Sequence, residues 1–365
     1  LHPVAGDRNR SARRARMKRK PILEVNDLRK WYPVDGHLLS RGKEHVKAVD
    51  GVSFQVFEGE VLGLVGESGS GKSTIGRTVL RLNESSGGAI SFDGHDITSL
   101  PRRALKSVRE RMQLVFQDPF ASLNPRKTVR ETLLAPLKIH GLGLNREERE
   151  SRVTEALRVV GLRPEHAHRY PHEFSGGQRQ RIVIARALMT GPKLLVADEP
   201  VAALDVSIQA QVINLLASLK QKLGLSILFI SHDLAVVGHL SDRVAVMYLG
   251  RLVEVAPTRK LFSQPQHPYT EALLSAIPEI SPVSWREQIV LRGEVPSPRN
   301  PPSGCAFRTR CRYALPDCAT QTPHLRVVSP QHFKACIRDD LDLQSVAGGP
   351  SPGAADLATP VTTVS

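Results

Sequence analysis

Short β-branched runs alternate along the chain with stretches of helical periodicity, which predicts a layered α/β domain. Val61–Val65 (VLGLV) reads as a buried strand entering a glycine-rich turn. Leu194–Ala197 and Ile227–Ile230 read as two more, each followed at once by polar residues. Residues from about 120 to 175 carry helical patterns and few strand signals, so a helical insertion into the α/β core is expected there. The domain as a whole is expected over 21–260. Beyond it the texture changes: prolines multiply and all four cysteines appear, which predicts a separate, small and irregular C-terminal module over 261–340. Residues 341–365 are rich in Gly, Pro, Ala and Thr and are expected to be disordered. The chain shows no internal repeat.

Length and composition narrow the class. The 365 residues suffice for one large domain and an appendage, and 41% hydrophobic with 24% charged residues is the balance of a globular chain. No run of about 18 apolar residues occurs, so a membrane process would need other chains to supply the channel. The net charge of +14 suggests a nucleic-acid partner until it is located. Residues 1–20 hold eight basic side chains against the single acid Asp7, which is half of the excess. That segment has no apolar stripe and reads as a solvated, disordered leader rather than a lipid- or nucleic-acid-binding tail. Met17, just before the first strand-like run, is expected to be the true start, with residues 1–16 an artefact of start assignment.

Three segments carry the chemistry. Gly66-Glu67-Ser68-Gly69-Ser70-Gly71-Lys72-Ser73-Thr74 fits the phosphate-binding loop, directly after a strand and before a helical run. Glycines let successive backbone N–H groups curl around phosphate oxygens, and the following helix adds the positive end of its dipole. Lys72 supplies an ammonium for the β- and γ-phosphates, and Ser73 a hydroxyl for Mg²⁺. The strand ending in Asp198-Glu199 offers one carboxylate to hold Mg²⁺ through water and a second to polarise an attacking water. His232 follows the strand-like run 227–230 in the same way. In an open α/β sheet, ligands collect at the carboxyl ends of strands, where all three segments stand.

Phe174-Ser175-Gly176-Gly177-Gln178, ahead of the helical run 182–188, resembles the signature sequence of the ABC ATPases, in the order that family uses. Physically it is a second anion site, with bare N–H groups at a helix start. The resemblance implies a P-loop NTPase (RecA-like) core with an ABC β-subdomain and a helical insertion. It also implies roles: Gln117 senses γ-phosphate and Mg²⁺ and links to the membrane partner, Asp205 lies at the dimer interface, and Tyr32 stacks on adenine, with Trp31 as its alternative. Phe174 replaces the usual Leu, and Ala202 the usual Ser before Ala203-Leu204-Asp205. Two such domains would pair head to tail, each ATP lying between one phosphate loop and the other chain's Ser175, Gly176, Gly177 and Gln178.

Val115–Arg126 (VFQDPFASLNPR), Asp198–Gln211 (DEPVAALDVSIQAQ), His267–Leu274 and Gly293–Pro298 are similar to the dipeptide/oligopeptide importer branch. That likeness, over about residues 22–338, implies an ATPase subunit energising peptide import across the cytoplasmic membrane, peripheral on its cytoplasmic side. It implies two transmembrane permease subunits, a second ATPase subunit (the same chain or a sister) and an extracytoplasmic solute-binding protein, with no direct nucleic-acid contact. Nickel or another solute is the alternative cargo, and a soluble ABC ATPase acting on nucleic acid or ribosomes the alternative class. Cys305, Cys311, Cys318 and Cys336 lack the paired spacing usual for zinc, and four thiolates suit either Zn²⁺ or a [4Fe–4S] cluster. Resemblance to the importer branch favours the cluster, with Arg308, Arg310 and Arg312 offsetting its negative charge.

Overall fold

The structure is a computed structural model that describes residues 20–34, 45–277 and 288–343. The basic leader (Lys20 apart), the expected start at Met17 and the tail beyond residue 343 lie outside the described residues. Strands form in the order β1 Pro21–Pro33, β2 His45–Phe57, β3 Val61–Val65, β4 Gly87–Phe92, β5 His95–Asp96, β6 Met112–Val115, β7 Leu194–Asp198, β8 Ser226–Ser231, β9 Arg243–Tyr248, β10 Arg251–Pro257, β11 Arg326–Ser329 and β12 His332–Lys334. They make two sheets: an antiparallel one ordered β2-β1-β4-β5, and a larger one ordered β11-β12-β10-β9-β3-β8-β7-β6. β6, β7, β8, β3 and β9 run parallel, and β10, β12 and β11 continue antiparallel.

Every residue of β3, β7 and β8 is buried, as in central strands covered on both faces. Alternate side chains divide between two cores. Val61, Val65, Leu195, Ala197, Ile227 and Phe229 join the helices Val129–His140, Gly176–Leu188 and Val206–Leu223 on one face. Leu62, Leu64, Leu194, Val196, Leu228 and Ile230 point the other way, onto the helix Lys72–Val79 and the antiparallel sheet. This two-sided burial fixes strand register, because a slip of one residue would exchange the two sets.

Helices Pro119–Ser122, Val129–His140 and Arg146–Val159 occupy the stretch where the sequence predicts helices. Thr128 with Glu131 and Asn145 with Glu148 close capping boxes at the latter two, which accounts for their sharp starts. The C-terminal residues depart from the expected separate module. β12 pairs with β10 through Glu254–Lys334 and Val255–Phe333, so the cysteine-bearing segment lengthens the main sheet. Phe307 is 2% exposed and packs edge-on against Tyr248 at 5.2 Å, anchoring that segment to the end of β9. Among the described residues, no helix is long and apolar enough to cross a membrane.

Candidate active site

The glycine-rich loop 66–71 leaves the end of β3 and closes into the helix Lys72–Val79. Gly71 caps that helix at φ +106, and a Cβ there would lie 2.1 Å from the Ala48 carbonyl oxygen, so no other residue fits the turn. Lys72 is buried, and its Nζ donates to the carbonyls of Gly66 (2.7 Å) and Glu67 (2.8 Å) and to Ser70 Oγ (3.4 Å). Burial pulls its pKa down, while the charges of Glu199, Asp198 and Glu67 work against that shift. Three carboxylates, one from the loop itself and two from the end of β7, thus act on one ammonium.

Ser73 donates to Asp198 Oδ1 at 2.7 Å, bringing the loop and the end of β7 together. Burial raises the Asp198 pKa, opposed first by that hydrogen bond. Glu199 follows in the left-handed region at φ +48, which is costly for a residue with a Cβ. Its N–H is tied to Ile230 O at 2.9 Å, which fixes the turn across to β8. Gln117 Nε2 lies 3.1 Å from Glu199 Oε2, and His232 Nδ1 lies 3.4 Å from the same oxygen. One carboxylate oxygen is therefore flanked by residues that follow β6 and β8, on either side of its own strand. Lys72, Ser73, Gln117, Asp198, Glu199 and His232 all stand at the carboxyl edge of adjacent parallel strands. Chemically the set offers a cation and N–H groups for an anion, a hydroxyl–carboxylate pair for a divalent cation, and a braced carboxylate to orient water.

Tyr32 ends β1 on the surface, with Lys30 Nζ 4.7 Å above its ring and its hydroxyl accepting from Asn83. Trp31 is instead engaged, its indole N–H donating to Asp50 at 3.2 Å. Tyr32 is the more exposed of the two rings. Ser175 caps the helix Gly176–Leu188 in a reciprocal box with Gln178. A Cβ on Gly177 would come 2.4 Å from Ile208 Cγ2, so the glycine lets this helix start approach the segment after Asp205. Asp205 is exposed and gives no side-chain cap to its own helix.

The cysteines are free thiols, and no group of three or more His, Cys, Asp or Glu among the described residues is placed to hold a metal ion. The expected metal-ready site is therefore not formed in this arrangement. Burial pushes the Cys305 and Cys336 thiols up, and Cys311 up to about 11, which favours protonated sulfur. What suits a metal is the donor set itself, each sulfur being near a backbone N–H donor. Of the arginines beside the cysteines, Arg310 and Arg312 pair with carboxylates elsewhere in the fold. Arg308 donates to Ser303 O at 2.9 Å, Arg312 to Glu271 at 3.0 Å, and Arg310 grips Glu67 of the phosphate loop through both terminal nitrogens, at 2.6 and 3.0 Å. The sequence pattern did not connect Arg310, or Tyr269, whose hydroxyl accepts the Glu67 N–H at 2.9 Å, with the phosphate loop. The one available signal was a basic residue adjacent to a cysteine.

The family described as ABC transporter matches residues 49–202, and the oligopeptide/dipeptide transporter C-terminal region matches 253–318. The oligopeptide transport ATP-binding protein AppF of Bacillus subtilis is 56% identical, over 86% of this chain and 96% of its own. The dipeptide transport ATP-binding protein DppF of Haemophilus influenzae is 50% identical, over 88% and 97%. The chain belongs to the oligopeptide/dipeptide family of ABC transporter ATP-binding proteins. As an ABC cassette it is an ATPase. Its fold matches the ATP-binding cassette MJ0796, solved as a dimer with ADP and Pi, at TM-score 0.57 and 29% identity over 65% of this chain and 99% of that one. The cassette's C-terminal match begins within β10 and runs through Cys318, the segment that reaches the phosphate loop.

Proposed function

We propose that loop 66–74 holds the phosphates of ATP and that Glu199 orients the water that attacks the terminal one. The single observation carrying this reading is the sharing of Glu199 Oε2 by Gln117 and His232, beside the linked Ser73 and Asp198. Lys72 turns from the loop carbonyls to the β- and γ-phosphates. Ser73, Asp198 and Gln117 would hold Mg²⁺, which when bound neutralises phosphate charge. Tyr32 offers its exposed ring to adenine. Ser175 through Gln178 and the exposed Asp205 belong to the face that meets a second ATPase subunit, so that closure depends on the γ-phosphate and reopens on its loss.

The cargo we assign is peptide, supported by the C-terminal family match and by relatives named for oligopeptide and dipeptide transport; these favour it over nickel and over a nucleic-acid role. Two permease subunits would dock on the cytoplasmic side of the membrane, with a solute-binding protein opposite and a sister ATPase as the preferred dimer partner. A cavity of about 370 Å³ lined by Leu82, Phe116, Ile139 and Arg109 lies next to Gln117 and suits a partner helix end. For the cysteines we read a [4Fe–4S] cluster, or Zn²⁺ as the alternative, from the donor set of four sulfurs near N–H donors, which binding would have to draw together from the arrangement described. Protein purified without oxygen should then carry iron and sulfide; metal-free, colourless protein with four titratable thiols contradicts it. The transport reading is tested by peptide-stimulated ATP turnover in the assembled complex. Stimulation by nickel and not by peptide would replace the cargo, and turnover unchanged in a Lys72→Ala variant would remove the site.

A further inference from the structure

Glu67 is an anomaly in a loop built to receive anions. It places a carboxylate between Gly66 and the remaining loop residues, 28% exposed, and its charge reaches Lys72. Left alone it would repel a polyphosphate. The C-terminal segment answers it: Arg310, 7% exposed, closes a two-point ion pair on both Glu67 oxygens. Such a planar fork holds orientation as well as charge. Tyr269, fully buried on the helix Pro268–Ser275, takes the Glu67 N–H. The arginine rests on an aromatic set, with Tyr248 6.0 Å below it and Tyr248, Tyr269 and Phe307 in mutual contact at 4.8 to 5.3 Å.

We infer that Arg310 is a positioning residue for ATP: by neutralising Glu67 and fixing its direction, the C-terminal segment completes the phosphate loop from outside the cassette core. The loop is then set by two chain regions that are 243 residues apart. ATP affinity depends on a segment that the ATPase fold itself does not require. This rests on the assignment of 66–74 as the phosphate site, so the test must separate the two.

ATP affinity and the KM and kcat of hydrolysis are measured on the full-length chain with Mg·ATP. Arg310→Met should raise the dissociation constant and KM about tenfold, with kcat changed far less, because an uncompensated carboxylate repels the bound phosphates in the ground state and in the transition state alike. Adding Glu67→Gln should restore affinity to within about threefold, since the repelling charge is gone. A merely structural arginine gives no such rescue. If Arg310→Met does not fold, Arg310→Lys serves, with a loss of about threefold that Glu67→Gln removes. Arg310→Met binding ATP as the parent does, or a loss that Glu67→Gln leaves in place, overturns the inference. Lys72→Ala is the control: if it binds ATP normally, the phosphate-site assignment fails; if it abolishes binding while Arg310→Met is silent, only the role of Arg310 fails.

Discussion

Replacing Gly71 by alanine puts a methyl group where the backbone leaves no room. The new Cβ would stand 2.1 Å from the Ala48 carbonyl oxygen, and it must retreat by about 0.9 Å to reach the 3.0 Å below which real contacts essentially never fall. The obstacle is the backbone of β2, which cannot swing aside as a side chain would. Gly71 also sits at φ +106, where an L-residue pays roughly 1–2 kcal/mol. The loop would be displaced by nearly an ångström, and misplacement of that size at a reacting centre costs about 100-fold, or about 2.7 kcal/mol. Gly69, two residues earlier in the same loop, provides the contrast. It has φ +77 with nothing within 4 Å of its missing Cβ. Gly69→Ala should therefore lose only about 1–2 kcal/mol of stability and keep ATP affinity within about threefold. Titration with a fluorescent ATP analogue, steady-state ATP turnover and thermal unfolding of both variants measure these quantities. Equal affinities for the two variants, or a Gly69→Ala loss as large as that of Gly71→Ala, would refute the steric reasoning.

Two further outcomes follow from the C-terminal packing. His267 is held neutral, its pKa pushed down to about 3 by burial, against 6.5 in the unfolded chain. Because the unfolded state gains the proton first, stability present above pH 6.5 is lost as pH falls toward 3, with about 2 kcal/mol gone at pH 5. His267→Asn retains an acceptor for the Tyr269 N–H and should flatten the stability profile between pH 7 and 5; an unchanged slope there contradicts the assignment. Phe307→Ala empties the contact with Tyr248, Tyr269 and His267, at 5.2, 5.3 and 5.8 Å. It should cost about 3–5 kcal/mol in denaturant unfolding and expose the C-terminal segment to limited proteolysis; a cost under about 1 kcal/mol would mean the ring is not an anchor.

The readable parts of the chain were those whose cause is local. β3 follows the apolar run Val61–Val65 residue for residue, and β7 and β8 extend their predicted runs by only a residue or two at their ends. Buried central strands are continuous apolar segments, so sequence displays them directly. The phosphate loop is legible for the same reason: its glycines, lysine and serine act within one turn. Convergence of Lys72, Glu199 and His232 followed once each was placed at a strand's carboxyl end, whereas Gln117 was reached only through the family resemblance. The joining of β12 to β10 had no such signal, because β12 has three residues and its partner lies about 80 positions away. The Glu67–Arg310 pair is still more remote, and in sequence the arginine looks like one more charge beside a cysteine. The left-handed turn at Glu199 was equally hidden, since nothing in its residue type asks for positive φ.

Glu199→Gln bears most directly on the reading of Glu199 as the group that orients water. The variant keeps the shape of the side chain and its approach to Gln117 and His232 but removes the charge that draws the proton. Steady-state turnover should fall by at least about 100-fold while ATP still binds, and an ATP-locked dimer should accumulate on size-exclusion chromatography. Turnover equal to the parent's, with no trapped dimer, would contradict it.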